Sequence, residues 1–94
     1  MSDEILEGAS LTLEQFCAVA ALERAWLVER IEAGLIPAEG TSAASWRFSG
    51  ATLARVRRMR EIERAYDAAP ELAALVADML EEMDRLRARL RRFD

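Results

Sequence analysis

The segment that most restricts the fold lies in the middle of the chain, where residues 35–37 and 45–48 form two short apolar or aromatic stretches. The residues between them, 38–44, are small and turn-prone, a composition that favours a reversal between two short strands. Gly34 directly precedes this segment and suits the left-handed conformation that ends a helix. The sequence therefore predicts a helix end followed by a short two-stranded wing.

Two short helices are predicted before this segment. Thr12 and Gln15 have the spacing of a capping box, which places the start of a first helix at residue 13 and its end near residue 20. After a tight turn near residues 21–22, a second helix is expected over residues 23–33. Two short helices joined by so tight a turn predict a helix-turn-helix.

Two further helices are predicted after the wing. Ser49 is suited to cap a third helix, and Pro70 occupies a first-turn position of the last one. The inward face of the third helix is expected to comprise Leu53, Val56, Met59, Ile62 and Tyr66. In the last helix, apolar residues alternate spacings of four and three, the pattern of a coiled-coil seam. The predicted seam consists of Leu72, Val76, Met79, Met83, Leu86, Leu90 and Phe93.

Composition limits the classes of protein that the chain can belong to. Its 94 residues suffice for one domain with a modest core. All thirteen basic residues are arginines, yet the formal net charge is −4. Because neutralising phosphates supplies most nucleic-acid affinity, this charge weighs against general binding to DNA.

Neither catalysis nor membrane insertion has support in the sequence. The chain has no histidine, and its single cysteine, Cys17, lies in an apolar helical context. Glycine-rich phosphate loops and metal-ligand spacings are absent, so we expect no enzyme activity, no cofactor and no metal. There is no signal segment and no apolar run of bilayer length, so we expect a cytoplasmic protein without a membrane partner.

The residues from 11 to 93 resemble a known family. The order of two short helices, wing, Trp46-Arg47-Phe48, Leu53, Arg60 and terminal heptad helix is similar to the MerR-type winged helix. Within that superfamily, the short length and residues 13–17 and 86–93 resemble the chaperone-modulator branch of the CbpM type. Two residues depart from the MerR pattern: Ala21 where glycine is common, and Glu23 where a serine cap is usual. These departures predict a wider turn or a helical bend.

The resemblance implies a mainly α fold, a MerR-like winged helix-turn-helix with a short two-stranded wing and a long C-terminal coiled-coil-type helix. We expect a flexible acidic leader over residues 1–10 and the winged helix-turn-helix over 11–66. Residues 67–94 would form the heptad helix, as part of the same domain or as a dimerisation arm. The implied function is binding to the J-domain of a DnaJ-like, CbpA-type co-chaperone, which would block its stimulation of Hsp70 and its association with DNA.

The first two helices are the expected partner-binding region. Seven acidic and two basic residues give residues 1–34 a net charge of −5, which would repel phosphates. J-domains typically present a basic second helix, so the candidate docking residues are Glu23, Trp26, Glu29 and Glu32. Alternatively, the acids form an ordinary solvated face. Trp26 is either an exposed hot-spot residue or an aromatic at the edge of the core.

A DNA-binding regulator is the alternative function. Residues 47–60 contain five arginines and no acid, and Arg47, Arg55 and Arg57 are candidates for phosphate contacts. Pairing with the chain's own acids, especially Glu61, Glu63 and those of the last helix, is the competing interpretation. In the last helix the acids precede the arginines, an order that suits the helix dipole and also an antiparallel pair. An antiparallel homodimer is therefore predicted, with folding back on the winged helix as the alternative.

Overall fold

The computed structural model describes residues 10–93, so the expected acidic leader lies outside the described residues except for the exposed Ser10. The described part of the chain contains four helices: α1 (Leu13–Ala20), α2 (Arg24–Glu32), α3 (Gly50–Tyr66) and α4 (Pro70–Arg92). This order confirms the predicted mainly helical architecture. None of these helices is both long enough and apolar enough to cross a bilayer.

Local hydrogen bonds define the ends of α1. The Thr12 hydroxyl accepts from the Gln15 backbone N–H at 3.2 Å, and the Gln15 side chain accepts from the Thr12 N–H at 2.9 Å. This is the predicted capping box. Such a cap stabilises the helix by about 1 kcal/mol. At the other end, Ala21 adopts the left-handed conformation, with φ 57° and ψ 49°. The turn therefore stays tight without glycine, and the predicted widening does not occur.

The end of α2 is a Schellman motif built on Gly34. The Gly34 N–H donates to the Ile31 carbonyl at 3.0 Å, and the Leu35 N–H donates to the Arg30 carbonyl at 2.9 Å. Gly34 has φ +79°, which confirms the predicted left-handed position. Ile36, two residues later, is buried in the core. The helix end thus directs the chain back into the molecule.

The wing is smaller than predicted. In the described chain it consists of one antiparallel bridge, in which Glu39 and Arg47 exchange backbone hydrogen bonds of 3.2 and 2.9 Å. The next hydrogen-bonded pair would join residues 37 and 49, but Pro37 has no N–H to donate. Phe48 bridges instead to Leu11, with two bonds of 3.0 Å. The predicted two-stranded wing is therefore replaced by two isolated bridges.

The core joins all four helices to the wing. The Phe16 and Phe48 rings stack at a centroid distance of 4.7 Å, which ties α1 to the wing. The prediction of Tyr66 as a core residue is wrong: Tyr66 is the last residue of α3 and is 79% exposed. The buried apolar residues are Leu13, Phe16, Leu27, Ile36, Trp46, Phe48, Leu53, Val56, Met59, Ala73, Ala74 and Ala77.

The long helix α4 packs against α3 through small side chains. Ala73, Ala74 and Ala77 are buried, and small residues allow the two helix backbones to approach closely. The predicted heptad seam lies on another face of α4, where Val76 is half-buried and its other members are exposed. α4 therefore packs on α3 through its alanines, and no residue within 10–93 covers the exposed members of the predicted heptad seam.

Candidate partner-binding surface

The outer face of α2 is acidic. Ala25, Glu29 and Glu32 are exposed and, at spacings of four and three, occupy one side of the helix. The Glu29 side chain is 73% exposed. Glu23 is also exposed at the N-cap of α2, where its side chain makes no capping hydrogen bond. Three of the four predicted docking residues are therefore carboxylates accessible to a partner.

Among the acids on the outer face of α2, Glu29 has an ion-pair partner within the helix, because Arg30 Nη1 lies 3.4 Å from its carboxylate. Arg30 is buried and directed at α3, where its Nε and Nη2 donate to Glu63 at 2.9 and 2.6 Å. Its Nη1 donates to the Trp26 carbonyl at 3.0 Å. Arg24 is exposed and lies 3.5 Å from the Glu14 carboxylate on α1. Because the Arg30 side chain is only 9% exposed, most of the charge that α2 presents to solvent is acidic.

Trp26 lies at the edge of the core, between α2 and α3. Its indole N–H donates to Glu63 at 3.2 Å, and the Arg30 guanidinium lies 4.1 Å from the ring centroid. A second guanidinium, that of Arg60 on α3, lies 5.5 Å from the ring. These contacts are cation–π interactions that hold the ring in place. Of the two interpretations of Trp26, the structure places it at the core edge, with its side chain half-buried.

Sequence reasoning did not find the Arg30–Glu63 pair. The two residues are separated by 33 positions, so no local spacing connects them. One signal was available in α2, since Arg30 follows Leu27 by three positions and falls on the side of the helix that faces inward. The sequence alone could not decide which of the two carboxylates of α3, Glu61 or Glu63, is its partner.

The three arginines considered for phosphate binding differ in their surroundings. Arg55 donates from Nε to the Leu35 carbonyl at 3.0 Å and from Nη1 to Asp78 and Glu81 at 2.7 and 3.1 Å. Burial opposes the charged form of Arg55, but these two carboxylates outweigh it and raise the pKa of the guanidinium above its ordinary value. Arg47 and Arg57 are exposed, on the wing and on α3.

Pairing with the acids of the last helix, the competing interpretation, is thus observed for Arg55. It is also observed for Arg58, which bonds to Asp84 at 2.5 Å. The Arg58 hydrogen bond holds the pKa of Asp84 below its usual range. Since both contacts join α3 to α4, these arginines act as cross-links between the two helices.

The second candidate surface is the exposed apolar face of α4. Apart from the half-buried Val76, the exposed fractions along the predicted seam run from 43% at Met83 to 84% at Phe93. Leu75, outside the seam, adds to this face at 55% exposure. An exposed apolar stripe of this length is a candidate interaction surface. Elsewhere in residues 10–93, no cluster of metal-ligating side chains occurs.

Comparisons with known proteins agree with this architecture. The family model described as "MerR HTH family regulatory protein" matches residues 11–94. The chain therefore belongs to the MerR family of helix-turn-helix regulatory proteins. No solved structure shows a significant match.

Within this family, the chain is similar to chaperone modulatory proteins. It is 27% identical to the "Chaperone modulatory protein CbpM" of Coxiella burnetii strains Dugway 5J108-111 and RSA 331 / Henzerling II. The alignments span 97 positions and cover 97% of this chain and 92% of each relative. The resemblance to CbpM-type proteins found in the sequence is confirmed.

Proposed function

We propose that this protein is a chaperone modulator that binds the J-domain of a DnaJ-like, CbpA-type co-chaperone. Binding would inhibit the co-chaperone's stimulation of Hsp70 and its association with DNA. Similarity to CbpM over nearly the whole chain supports the class of function. The observation that carries the proposal is the exposure of Glu23, Glu29 and Glu32 on α2, while Arg30, which contacts Glu29, is itself buried against Glu63.

The mechanism would be competitive masking. A basic helix of the J-domain would lie against Glu29 and Glu32, with Glu23 at the start of α2 extending the contact. Complementary charges of this kind accelerate encounter and set orientation, and salt screens them over about 10 Å at moderate ionic strength. Once covered, the basic helix would be unavailable to Hsp70. Trp26 would act by holding α2 against α3 rather than by inserting into the partner.

Charge reversal on α2 tests this proposal. The double variant E29R/E32R should bind a purified J-domain at least about tenfold more weakly in calorimetry, because attraction becomes repulsion. It should also fail to inhibit J-domain-stimulated Hsp70 ATPase activity. The control E71R/E82R makes the same change in net charge at exposed positions of α4 and should bind normally. Unchanged affinity for E29R/E32R would place the J-domain contact elsewhere.

A DNA-binding regulator is the second candidate function, and two observations weigh against it. Arg55 is already bonded to Asp78 and Glu81, so it would have to leave two carboxylates to reach a phosphate. The second helix, which would enter the major groove, presents Glu29 and Glu32 to the solvent. Salt-sensitive binding of a DNA duplex, weakened by R47A, would revive this function.

We also propose that α4 pairs with α4 of a second copy in antiparallel orientation. The seam of Leu72, Val76, Met79, Met83, Leu86, Leu90 and Phe93 would form the interface. Residues 70–84 carry a net charge of −5 and residues 85–92 a net charge of +5. Antiparallel pairing therefore brings opposite charges together, whereas parallel pairing brings like charges together.

A further inference from the structure

A groove lies between the α1–α2 turn and α3, and its lining residues do not include Glu23, Trp26, Glu29 or Glu32. Its volume is about 550 Å³. Residues 20–22 form one wall, and the second half of α3 forms the other. We infer that this groove binds an acidic segment of a partner protein through carboxylate side chains. This inference does not depend on J-domain binding, because it uses different residues.

The α3 wall is rich in guanidinium groups. Arg57, Arg60 and Arg64 follow at spacings of three and four along one side of the helix, and Glu61 is the one carboxylate among the lining residues. Arg60 and Arg64 form no ion pair with a carboxylate within residues 10–93. Guanidinium groups bind carboxylates through paired, charge-assisted hydrogen bonds. The wall therefore carries net positive charge suited to acidic side chains.

The remaining lining favours a peptide over a free small anion. Ala20, Ala21 and Ala65 are small, and Leu22 adds an apolar surface beside the arginines. The backbone and side-chain methylene groups of an acidic segment can pack on these residues while its carboxylates reach the guanidinium groups. A small anion would leave this apolar surface unused. The combination of small apolar and cationic lining thus fits a polypeptide.

The surroundings of the groove disfavour nucleic acid. Glu23 directly follows the lining residue Leu22 and is exposed, and the outer face of α2 continues with Glu29 and Glu32. Duplex DNA carries a charge about every 1.7 Å along its axis, so it would bring phosphates close to these acids. A peptide can instead place a few carboxylates opposite Arg60 and Arg64 alone.

A fluorescence-anisotropy titration tests the inference. The probe is a labelled, end-blocked peptide that alternates glutamate and alanine, and its counterpart replaces every glutamate with glutamine. The glutamate peptide should bind saturably to the full chain. R64E should weaken this binding about three- to fivefold, whereas R91E, the same reversal on α4, should change it by less than about twofold. Arg64 and Arg91 are both exposed, so neither reversal disturbs the core.

Three outcomes would overturn the inference. The glutamine peptide could bind as tightly as the glutamate peptide, which would remove the role of charge. R64E could bind the glutamate peptide as tightly as the unmodified chain does, which would exclude the groove as the binding site. Finally, an unlabelled DNA duplex at the same salt concentration could displace the peptide at a lower concentration than unlabelled peptide does, which would make nucleic acid the preferred ligand.

Discussion

Arg30 of α2 and Glu63 of α3 form a two-point ion pair with nitrogen–oxygen distances of 2.6 and 2.9 Å. Their side chains are 9% and 12% exposed. The same carboxylate accepts from the Trp26 indole, so one residue of α3 holds two residues of α2. This contact orients α2 so that its acids face outward.

Removal of the Glu63 carboxylate is expected to destabilise the fold strongly. E63A leaves the largely buried Arg30 guanidinium with only the exposed Glu29 carboxylate as a counter-charge, at a cost of about 3 kcal/mol in the free energy of unfolding. The measurement is urea unfolding followed by tryptophan fluorescence. R24A breaks the exposed contact with Glu14 and should cost about 0.5 kcal/mol or less. Equal effects of the two variants would contradict this assignment.

The two left-handed glycines should differ in their tolerance of a side chain. At Gly34 an added Cβ meets no atom within 4 Å, so G34A costs only backbone strain, about 1–2 kcal/mol. At Gly40, with φ +119°, the Cβ would lie 2.8 Å from the Ser45 carbonyl oxygen. G40A should therefore have the lower urea midpoint of the two. The reverse order would show that the backbone near Ser45 can move away from the added Cβ with little loss in the free energy of unfolding.

Acidification should remove the contribution of Asp84 to stability. Its pKa is lowered in the folded chain by the hydrogen bond from Arg58. This contribution is therefore present above the ordinary carboxyl pKa of about 3.9 and lost as the pH falls through the folded value. The difference in urea midpoint between the unmodified chain and D84N should shrink in that range. In an R58Q background this pH-dependent difference should be smaller, because the hydrogen bond from Arg58 is the largest cause of the lowered pKa.

The Cys17 thiol should react slowly in the folded chain. Burial, with a further contribution from the nearby Glu14 carboxylate, raises its pKa above the ordinary value. Because the thiolate is the nucleophile, iodoacetamide should modify the folded chain more slowly than the urea-unfolded chain at the same pH. E14Q should increase the folded-state rate. Identical rates in the folded and unfolded chains would show that the fold neither shields the Cys17 thiol nor raises its pKa.

Disruption of the α4 seam should dissociate the proposed dimer without unfolding the chain. Leu86 and Leu90 are 47% and 67% exposed, so L86D/L90D leaves the core of each subunit intact. The dissociation constant from sedimentation equilibrium should rise at least about tenfold. A54D, at an exposed position of α3 outside the seam, serves as the control. A monomeric unmodified chain would refute the dimer.

Orientation within the dimer can be tested by cross-linking. In a C17S background, subunits carrying L72C should form disulfides with subunits carrying L90C, because antiparallel pairing brings opposite ends of α4 together. L72C subunits should not cross-link to one another. Efficient L72C self-linking would indicate parallel pairing.

Part of the candidate site could be predicted from the sequence. The sequence predicts Glu29 and Glu32 on the solvent side of α2, because they lie off the apolar stripe of Leu27 and Ile31. Both glutamates are exposed. The burial of Arg30 could not be predicted, because an arginine becomes internal only when a specific distant carboxylate compensates its charge. The packing of Trp26 depends on the same Glu63 carboxylate and on Arg60.

The sequence by itself determined where the helices begin and end. Thr12 with Gln15, Gly34 and Pro70 act through backbone conformation and hydrogen bonds to residues a few positions away, so their effects are local. Only the tertiary structure decided which helix faces meet. α4 buries its alanines rather than its leucines, and Arg55 and Arg58 pair with its acids, because close packing and ion pairing select among distant residues jointly.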